Sequence, residues 1–105
     1  MQEMTTEREG AILEKALEAY GAFAQRDMMI EEMAELTHAL CRISRVAAVP
    51  DHGWSFYEAR ERVREEIADV QIMLNQMQLL YGDCTDWEIL KLERLAKRLG
   101  MEGEK

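Results

Sequence analysis

The sequence has few residues that interrupt helices or cross-link the chain. It contains a single proline, Pro50, and six glycines among 105 residues, so helices meet few breaks. Its two cysteines, Cys41 and Cys84, are too few for a disulfide framework and lack metal-ligand spacing; we expect both to be reduced and buried. The apolar–polar alternation of strands is also missing. These absences predict an all-α protein.

A long apolar segment is missing as well. The first thirty residues carry glutamates at positions 3, 7, 9, 14 and 18, so we expect no signal peptide, no membrane partner and a cytoplasmic location. Acidic residues outnumber basic ones by 21 to 13, for a net charge of −8. Because this charge repels phosphate backbones, we expect no nucleic-acid polymer as a partner. A small phosphorylated substrate carried with its metal is compatible with this charge.

Four helices in a single domain, residues 1–105, account for the pattern. Thr6, Ser55 and Thr85 are each followed three residues later by a glutamate, which is the spacing of a capping box at a helix start. Gly21 is expected to break or bend the chain after the first helix, and Gly82 and Gly100 to end the third and fourth. The first predicted helix starts at Thr6. The second spans residues 25–46, the third spans residues 55–81, and the fourth runs from Thr85 to about Gly100.

Two hexapeptides that lie 34 positions apart repeat the same pattern. Residues 31–36 (EEMAEL) and 65–70 (EEIADV) both read acid, acid, apolar, alanine, acid, apolar. Acids three residues apart on a helix lie on neighbouring faces, about 5–6 Å apart at Cβ. Two such helices side by side would bring carboxylates together, and Mg²⁺ and Mn²⁺ prefer oxygen ligands. A tetratricopeptide array has the same period, but two copies without its signature residues do not support that reading.

Helical phase separates the acids that face the core from those that face solvent. The predicted apolar stripes are Met29, Met33, Leu36, Leu40 and Ile43 on the second helix, and Val63, Ile67, Val70, Leu74, Met77 and Tyr81 on the third. Glu32 and Glu66 lie about 60° and about 50° from the stripe centres, whereas Glu31 and Glu65 point to solvent. The predicted metal ligands are Glu32, Glu35, Glu66 and Asp69. The alternative is that Arg60, Arg62 or Arg64 neutralises these acids in ordinary salt bridges.

The double acid Glu31 and Glu32 is followed by Glu35, and a later helix carries Glu66 and, three positions on, Asp69. This arrangement resembles a known signature. It is that of the MazG-like all-α nucleoside triphosphate pyrophosphohydrolases, and the resemblance covers residues 27–99, with residues 30–40 (IEEMAELTHAL) and 65–74 (EEIADVQIML) typical of short members. The gap of 30 residues between Glu35 and Glu66 is on the long side for this family, which leaves substrate choice open.

The resemblance implies a MazG-like helical fold that hydrolyses a nucleoside triphosphate, in particular a deoxynucleotide, to the monophosphate and pyrophosphate. It implies Mg²⁺, or Mn²⁺, bound by Glu32, Glu35, Glu66 and Asp69. Because Glu35 lies nearer the open edge than Glu32, we assign it the activation of water as a hypothesis.

Several other side chains are candidates for substrate contacts. Lys91, Arg94 and Arg98 fall within about 60° on the fourth helix and are assigned to the triphosphate; equally, they favour the helix dipole and solubility. Arg42 and Arg45 are weaker candidates of the same kind. Trp54 is assigned to stacking on the base, although such aromatic residues more often serve packing.

Two other functions and an assembly state complete the expectations. Glu35 and His38 have the spacing of di-iron helical bundles, but Ile72 stands where the matching histidine would be needed. A non-catalytic acidic interaction module is the other alternative. Ile72 and Leu79 form a second apolar ridge on the third helix, which predicts a homo-oligomer; the resemblance implies a homodimer or homotetramer.

Overall fold

A computed structural model describes residues 3–49 and 55–101 of the chain. Within these residues the protein is entirely helical, which confirms the all-α prediction and the number of helices. The elements are α1 (Thr6–Tyr20), α2 (Ala22–Ala48), α3 (Phe56–Tyr81) and α4 (Thr85–Arg98). In this described part of the chain, no helix has both the length and the apolar character needed to cross a membrane.

Side-chain caps begin two of the helices. The hydroxyl of Ser55 accepts a hydrogen bond from the backbone N–H of Glu58 at 3.0 Å, which confirms the predicted start of α3. At α1 the prediction is wrong by one residue, because the hydroxyl of Thr5, not that of Thr6, accepts from the N–H of Arg8 at 3.1 Å. A threonine stands at both positions, so composition alone does not choose between them.

The predicted cap of α4 at Thr85 is wrong. Thr85 is the first residue of the helix, and its hydroxyl donates to Oδ1 of Asp83 at 2.7 Å. Oδ1 of Asp83 also accepts the backbone N–H of Thr85 at 3.1 Å. These two hydrogen bonds, with the side-chain one dominant, hold the pKa of Asp83 below its ordinary value. Asp83 therefore stabilises the turn before α4, a role that the sequence pattern predicted for Thr85.

Glycines with positive φ produce the sharp turns between helices. Gly21 has φ 87° and is the single residue between α1 and α2, and Gly82 has φ 108° at the end of α3. Residues with a Cβ rarely adopt these values. Both glycine predictions are confirmed.

The core lies between α2 and α3, which pack along one another, while α1 contacts both. Met29 on α2 and Val70 and Met73 on α3 are buried together, with Leu36 and Met77 packed against them. Because each of these side chains loses most of its contact with water, this cluster holds the two central helices in register.

Polar groups hold α1 against α3. The buried amide of Gln76 donates to the backbone carbonyl of Leu13 at 3.1 Å, and the amide of Asn75 donates to Oε1 of Glu9 at 2.7 Å. A buried amide N–H group needs such a partner. These bonds place α1 on the side of α3 that carries residues 75 and 76.

The inward faces of α2 and α3 differ from the predicted stripes. Five predicted core residues are exposed: Met33, Leu40, Ile67, Leu74 and Tyr81. The buried positions are instead Gln25, Met29, Ala39 and Val46 on α2, and Ala59, Glu66, Val70, Met73 and Gln76 on α3. Apolar periodicity does not distinguish a helix face that packs into the core from an apolar face that is exposed on the surface. Glu66 thus lies within the inward face, not at its edge.

The fourth helix stands apart from the other three. Within the described residues, α4 packs against none of α1, α2 and α3. Its large apolar side chains and that of Leu99, which caps its C-terminus, are exposed: Trp87, Ile89, Leu90, Leu92, Leu95 and Leu99. The protomer is therefore a three-helix core with a projecting amphipathic helix, and the expected packing of four helices into one bundle is not present.

The two cysteines are both exposed free thiols. Cys41 lies on the outer side of α2, and Cys84 lies in the turn before α4. The prediction that they are buried is wrong. Both belong to surfaces that the three-helix core does not cover.

Candidate metal centre

Three carboxylates converge where α2 and α3 pack together. One carboxylate oxygen from each of Glu32, Glu35 and Glu66 lies within 4.8 Å of the others. The two glutamates on α2 are three residues apart, so they share one side of the helix. Glu66 reaches them from the inward face of α3. The structure thus brings together three of the four predicted ligands in one group.

The fourth predicted ligand joins the cluster through Glu66. One oxygen from each of Glu65, Glu66 and Asp69 also lies within 4.8 Å of the others. Asp69 is half-buried, whereas Glu65 is exposed. Helical phase pointed Glu65 away from the site, and sequence reasoning missed that its long side chain brings an oxygen close to the other two. The carboxylates form two groups that share Glu66.

Glu66 is the most deeply buried of these acids, with 1% of its surface exposed. Nη2 of Arg62 contacts its Oε1 at 2.8 Å. Its Oε2 is buried and has no hydrogen-bond partner among the described residues, and the same is true of Oε2 of Glu32. Buried carboxylate oxygens without partners are costly. A divalent cation between them would provide the missing interaction.

The pKa values of Glu32 and Glu66 are both raised, with burial as the largest cause. Burial raises the pKa of Glu32 above its ordinary value, and the charges of Asp69, Glu35 and Glu66 raise it further. Burial also raises the pKa of Glu66, where the Arg62 guanidinium opposes the increase. Without a cation, both carboxyl groups therefore release their protons at a higher pH than an exposed glutamate does.

Salt bridges account for only part of this negative charge. Arg62 contacts both Glu66, at 2.8 Å, and Oε1 of Glu65, at 3.2 Å. Arg64 and Arg60 instead contact Glu61, at 2.8 and 3.6 Å. The salt-bridge alternative is therefore confirmed for Arg62 and is wrong for the other two arginines. The one positive charge of Arg62 does not by itself balance the whole group of carboxylates.

A cavity of about 360 Å³ adjoins the carboxylates. It is lined by Glu35, His38, Ala39, Arg42 and Arg62. His38 and Arg42, four residues apart on α2, both line it. Sequence reasoning gave Arg42 little weight and considered Arg62 only as a salt-bridge partner, although Arg62 lies one helical turn before Glu66. The cavity combines a carboxylate with cationic side chains, a composition suited to a phosphate group next to a metal.

Three predicted substrate residues on α4 are not brought to this site within one chain. Lys91, Arg94 and Arg98 lie on the exposed surface of α4, which packs against none of the other described helices. Trp54 lies outside the described residues. The assignments of these four residues stay predictions.

Comparison with known proteins adds no relative: no family model, curated protein or solved structure matches the chain. The fold and the site define the class by themselves. This is an all-α protein with a partly buried carboxylate cluster, of a kind that suits a divalent metal, between two packed helices.

Proposed function

We propose that this protein is a Mg²⁺-dependent nucleoside triphosphate pyrophosphohydrolase of the MazG-like type, acting on a deoxynucleotide. The observation that supports it most is the pair of buried, unpartnered oxygens on Glu32 and Glu66. They belong to a carboxylate group whose oxygens lie within 4.8 Å of one another. An acidic face that serves only solubility would leave such oxygens in water.

The donor set fits the proposed metal. Glu32, Glu35, Glu66 and Asp69 would hold Mg²⁺, and Mn²⁺ would be accepted in its place, because both are hard cations that bind carboxylate oxygens. When bound, the cation supplies charge neutralisation for phosphate oxygens. Because the pKa values of Glu32 and Glu66 are raised, metal binding should strengthen as the pH rises.

Glu35 is assigned the activation of water. It belongs to the carboxylate group, and it also lines the adjoining cavity, so it borders both the metal ligands and the space for substrate. From there its carboxylate accepts a proton from the water that attacks the phosphate chain. His38 and Arg42 line the same cavity and orient the phosphate groups by hydrogen bonding.

A homodimer or homotetramer is part of the proposal. The large apolar residues of α4 are exposed in the single chain, among them Leu92 at 56% and Leu95 at 42%, as is Leu99 at its C-terminal cap, at 65%. Ile72 and Leu79 on α3 are exposed as well. A second copy would cover these surfaces, which otherwise favour aggregation. We also assign the protein to the cytoplasm, where its nucleotide substrates are made and used.

The di-iron alternative has less support than the proposed Mg²⁺ site. Ile72, which stands where the second histidine would be needed, lines a separate apolar cavity together with Ile12 and Leu13 of α1. His38 lines the cavity beside Glu35, but a carboxylate cluster with one histidine favours a hard cation. The exposed apolar surface of α4 favours the non-catalytic interaction module as the second candidate.

Pyrophosphate release tests the proposal. The purified protein is incubated with Mg²⁺ and each common ribo- and deoxynucleoside triphosphate. We expect release from at least one deoxynucleotide, its loss in Glu66→Gln and in excess chelator, and its retention in Glu31→Gln, where an exposed acid beside Glu32 is changed. If no triphosphate yields pyrophosphate while Mn²⁺ still binds, the enzyme proposal is wrong and the interaction module is favoured.

A further inference from the structure

We propose that Arg62 links metal binding to phosphate binding: it holds Glu66 in the metal-free protein, and a divalent cation displaces it into the adjoining cavity, where it contacts a pyrophosphate group. This inference rests on the proposed function for its ligand. Arg62 is a positioning residue for Glu66 in the first state and a phosphate contact in the second.

Arg62 already touches both places. Its guanidinium lies 2.8 Å from Oε1 of Glu66, and the same residue forms part of the wall of the 360 Å³ cavity. The Arg62 side chain is 43% exposed, whereas that of Glu66 is 1% exposed. Rotation of the arginine side chain would therefore move the guanidinium from one place to the other without movement of α3.

The charges at the site favour this exchange. A divalent cation held by Glu66 would repel the guanidinium on Oε1, and it would bind the carboxylate more strongly than a half-exposed arginine does. Once displaced, Arg62 keeps only the exposed Glu65 as a partner, which stabilises it little. A phosphate in the cavity offers the paired oxygens that a guanidinium binds best. Cation and phosphate then strengthen each other's binding, as linkage requires.

Arg60 provides a matched control on the same helix. It has the same side chain two residues earlier, is 57% exposed, and contacts Glu61 at 3.6 Å. It does not line the cavity. Replacing Arg60 removes the same charge from α3 without removing the contact to Glu66.

The first measurement is Mn²⁺ binding to the full chain, followed by the electron paramagnetic resonance signal of free Mn²⁺. In the absence of phosphate, we expect Arg62→Gln to bind Mn²⁺ about three- to tenfold more tightly than the wild type. Arg60→Gln is expected to stay within about twofold of the wild type. Unchanged or weaker Mn²⁺ binding by Arg62→Gln overturns the proposal, because Arg62 would then be only a support for the carboxylate.

The second measurement is calorimetric binding of the manganese–pyrophosphate complex to protein saturated with Mn²⁺. We expect Arg62→Gln to weaken it by about tenfold, while Arg60→Gln leaves it unchanged. Tighter Mn²⁺ binding with unchanged pyrophosphate affinity also overturns the proposal, since the guanidinium would not reach the cavity.

A folding check and a second variant cover the case in which Arg62→Gln does not fold. Circular dichroism checks that Arg62→Gln folds; if it does not, Arg62→Lys, which keeps the charge but lacks the paired N–H groups, replaces it. We expect Arg62→Lys to shift both affinities in the same directions by about twofold to threefold, and no shift overturns the proposal. Neither measurement needs turnover, so the linkage can hold in a protein that hydrolyses nothing, and can fail in one that releases pyrophosphate.

Discussion

Glu32 on α2 and Glu66 on α3 place carboxylate oxygens within 4.8 Å of one another across the helix pair, and Oε2 of each is buried without a hydrogen-bond partner among the described residues. Two carboxylates that approach in this way repel each other and lose water together. They persist because the apolar cluster of Met29, Val70 and Met73 fixes the two helices. The core thus stabilises a site that is unfavourable in the absence of a cation.

Binding of Mg²⁺ should therefore stabilise the fold. A cation that binds only the folded chain contributes about 2.7 kcal/mol when its concentration is 100 times its Kd. We expect the melting temperature of the wild type to rise with Mg²⁺ in a differential scanning experiment, and that of Glu31→Gln to rise equally. A similar rise in Glu32→Gln would show that the cation binds elsewhere.

The metal-free protein should lose stability as the pH rises past the ordinary glutamate range. The pKa of Glu32 is raised from 4.5 by burial and by its acidic neighbours, so the folded state holds a proton that the unfolded chain has released. The stabilising effect of this proton is complete below pH 4.5 and is lost as the pH rises through the higher pKa of the folded state. Glu32→Gln has no such titration, and its stability relative to the wild type should increase with pH.

Urea unfolding in the presence of a chelator, from about pH 4.5 to about pH 8, measures this difference. Glu31→Gln is the control, since Glu31 is exposed and outside both carboxylate groups. A stability difference between Glu32→Gln and the wild type that does not vary with pH would contradict the account.

The inward face of α2 and α3 predicts which methionines stabilise the core. Met73 is 7% exposed and Met33 is 45% exposed. We expect Met73→Ala to lower the free energy of unfolding by about 2–5 kcal/mol. Met33→Ala should change it by less than about 1 kcal/mol. Denaturant unfolding of the two variants checks this. Equal losses of unfolding free energy would contradict the observed inward face and favour the apolar stripe that periodicity predicts.

The exposed face of α4 predicts self-association. Sedimentation at micromolar concentration should give the wild type two or four times the 12.2 kDa of one chain. The double variant Leu92→Glu/Leu95→Glu should sediment as a single chain, because it places charge on the apolar face. Arg94→Glu, which adds negative charge on the opposite side of α4, should leave the assembly intact. A wild type with the mass of one chain would contradict the prediction.

Helix positions were predictable from the sequence because local residues determine them. Gly21, Gly82 and Ser55 act through their own backbone and side chains, so their roles can be read without tertiary structure. The errors at Thr6 and Thr85 are of one or two residues, where neighbouring polar residues compete for the same N–H groups.

The faces of the helices were less predictable. Ile67 and Leu74 look like core residues in the sequence, yet they are exposed, since this chain has more apolar faces than one small core can bury. The acids of the site follow from helical spacing. The unpaired oxygen of Glu66 and its contact with Arg62 depend on how closely α2 and α3 approach, which no single-helix pattern contains.

The identity of the hydrolysis products tests the central claim most directly. A deoxynucleoside triphosphate is incubated with the protein and Mg²⁺ and followed by phosphorus NMR. The account predicts the monophosphate and pyrophosphate for the wild type and for Glu31→Gln, and a rate lower by about 100-fold or more for Glu66→Gln. Formation of the diphosphate and inorganic phosphate, or unchanged turnover in Glu66→Gln, would contradict it.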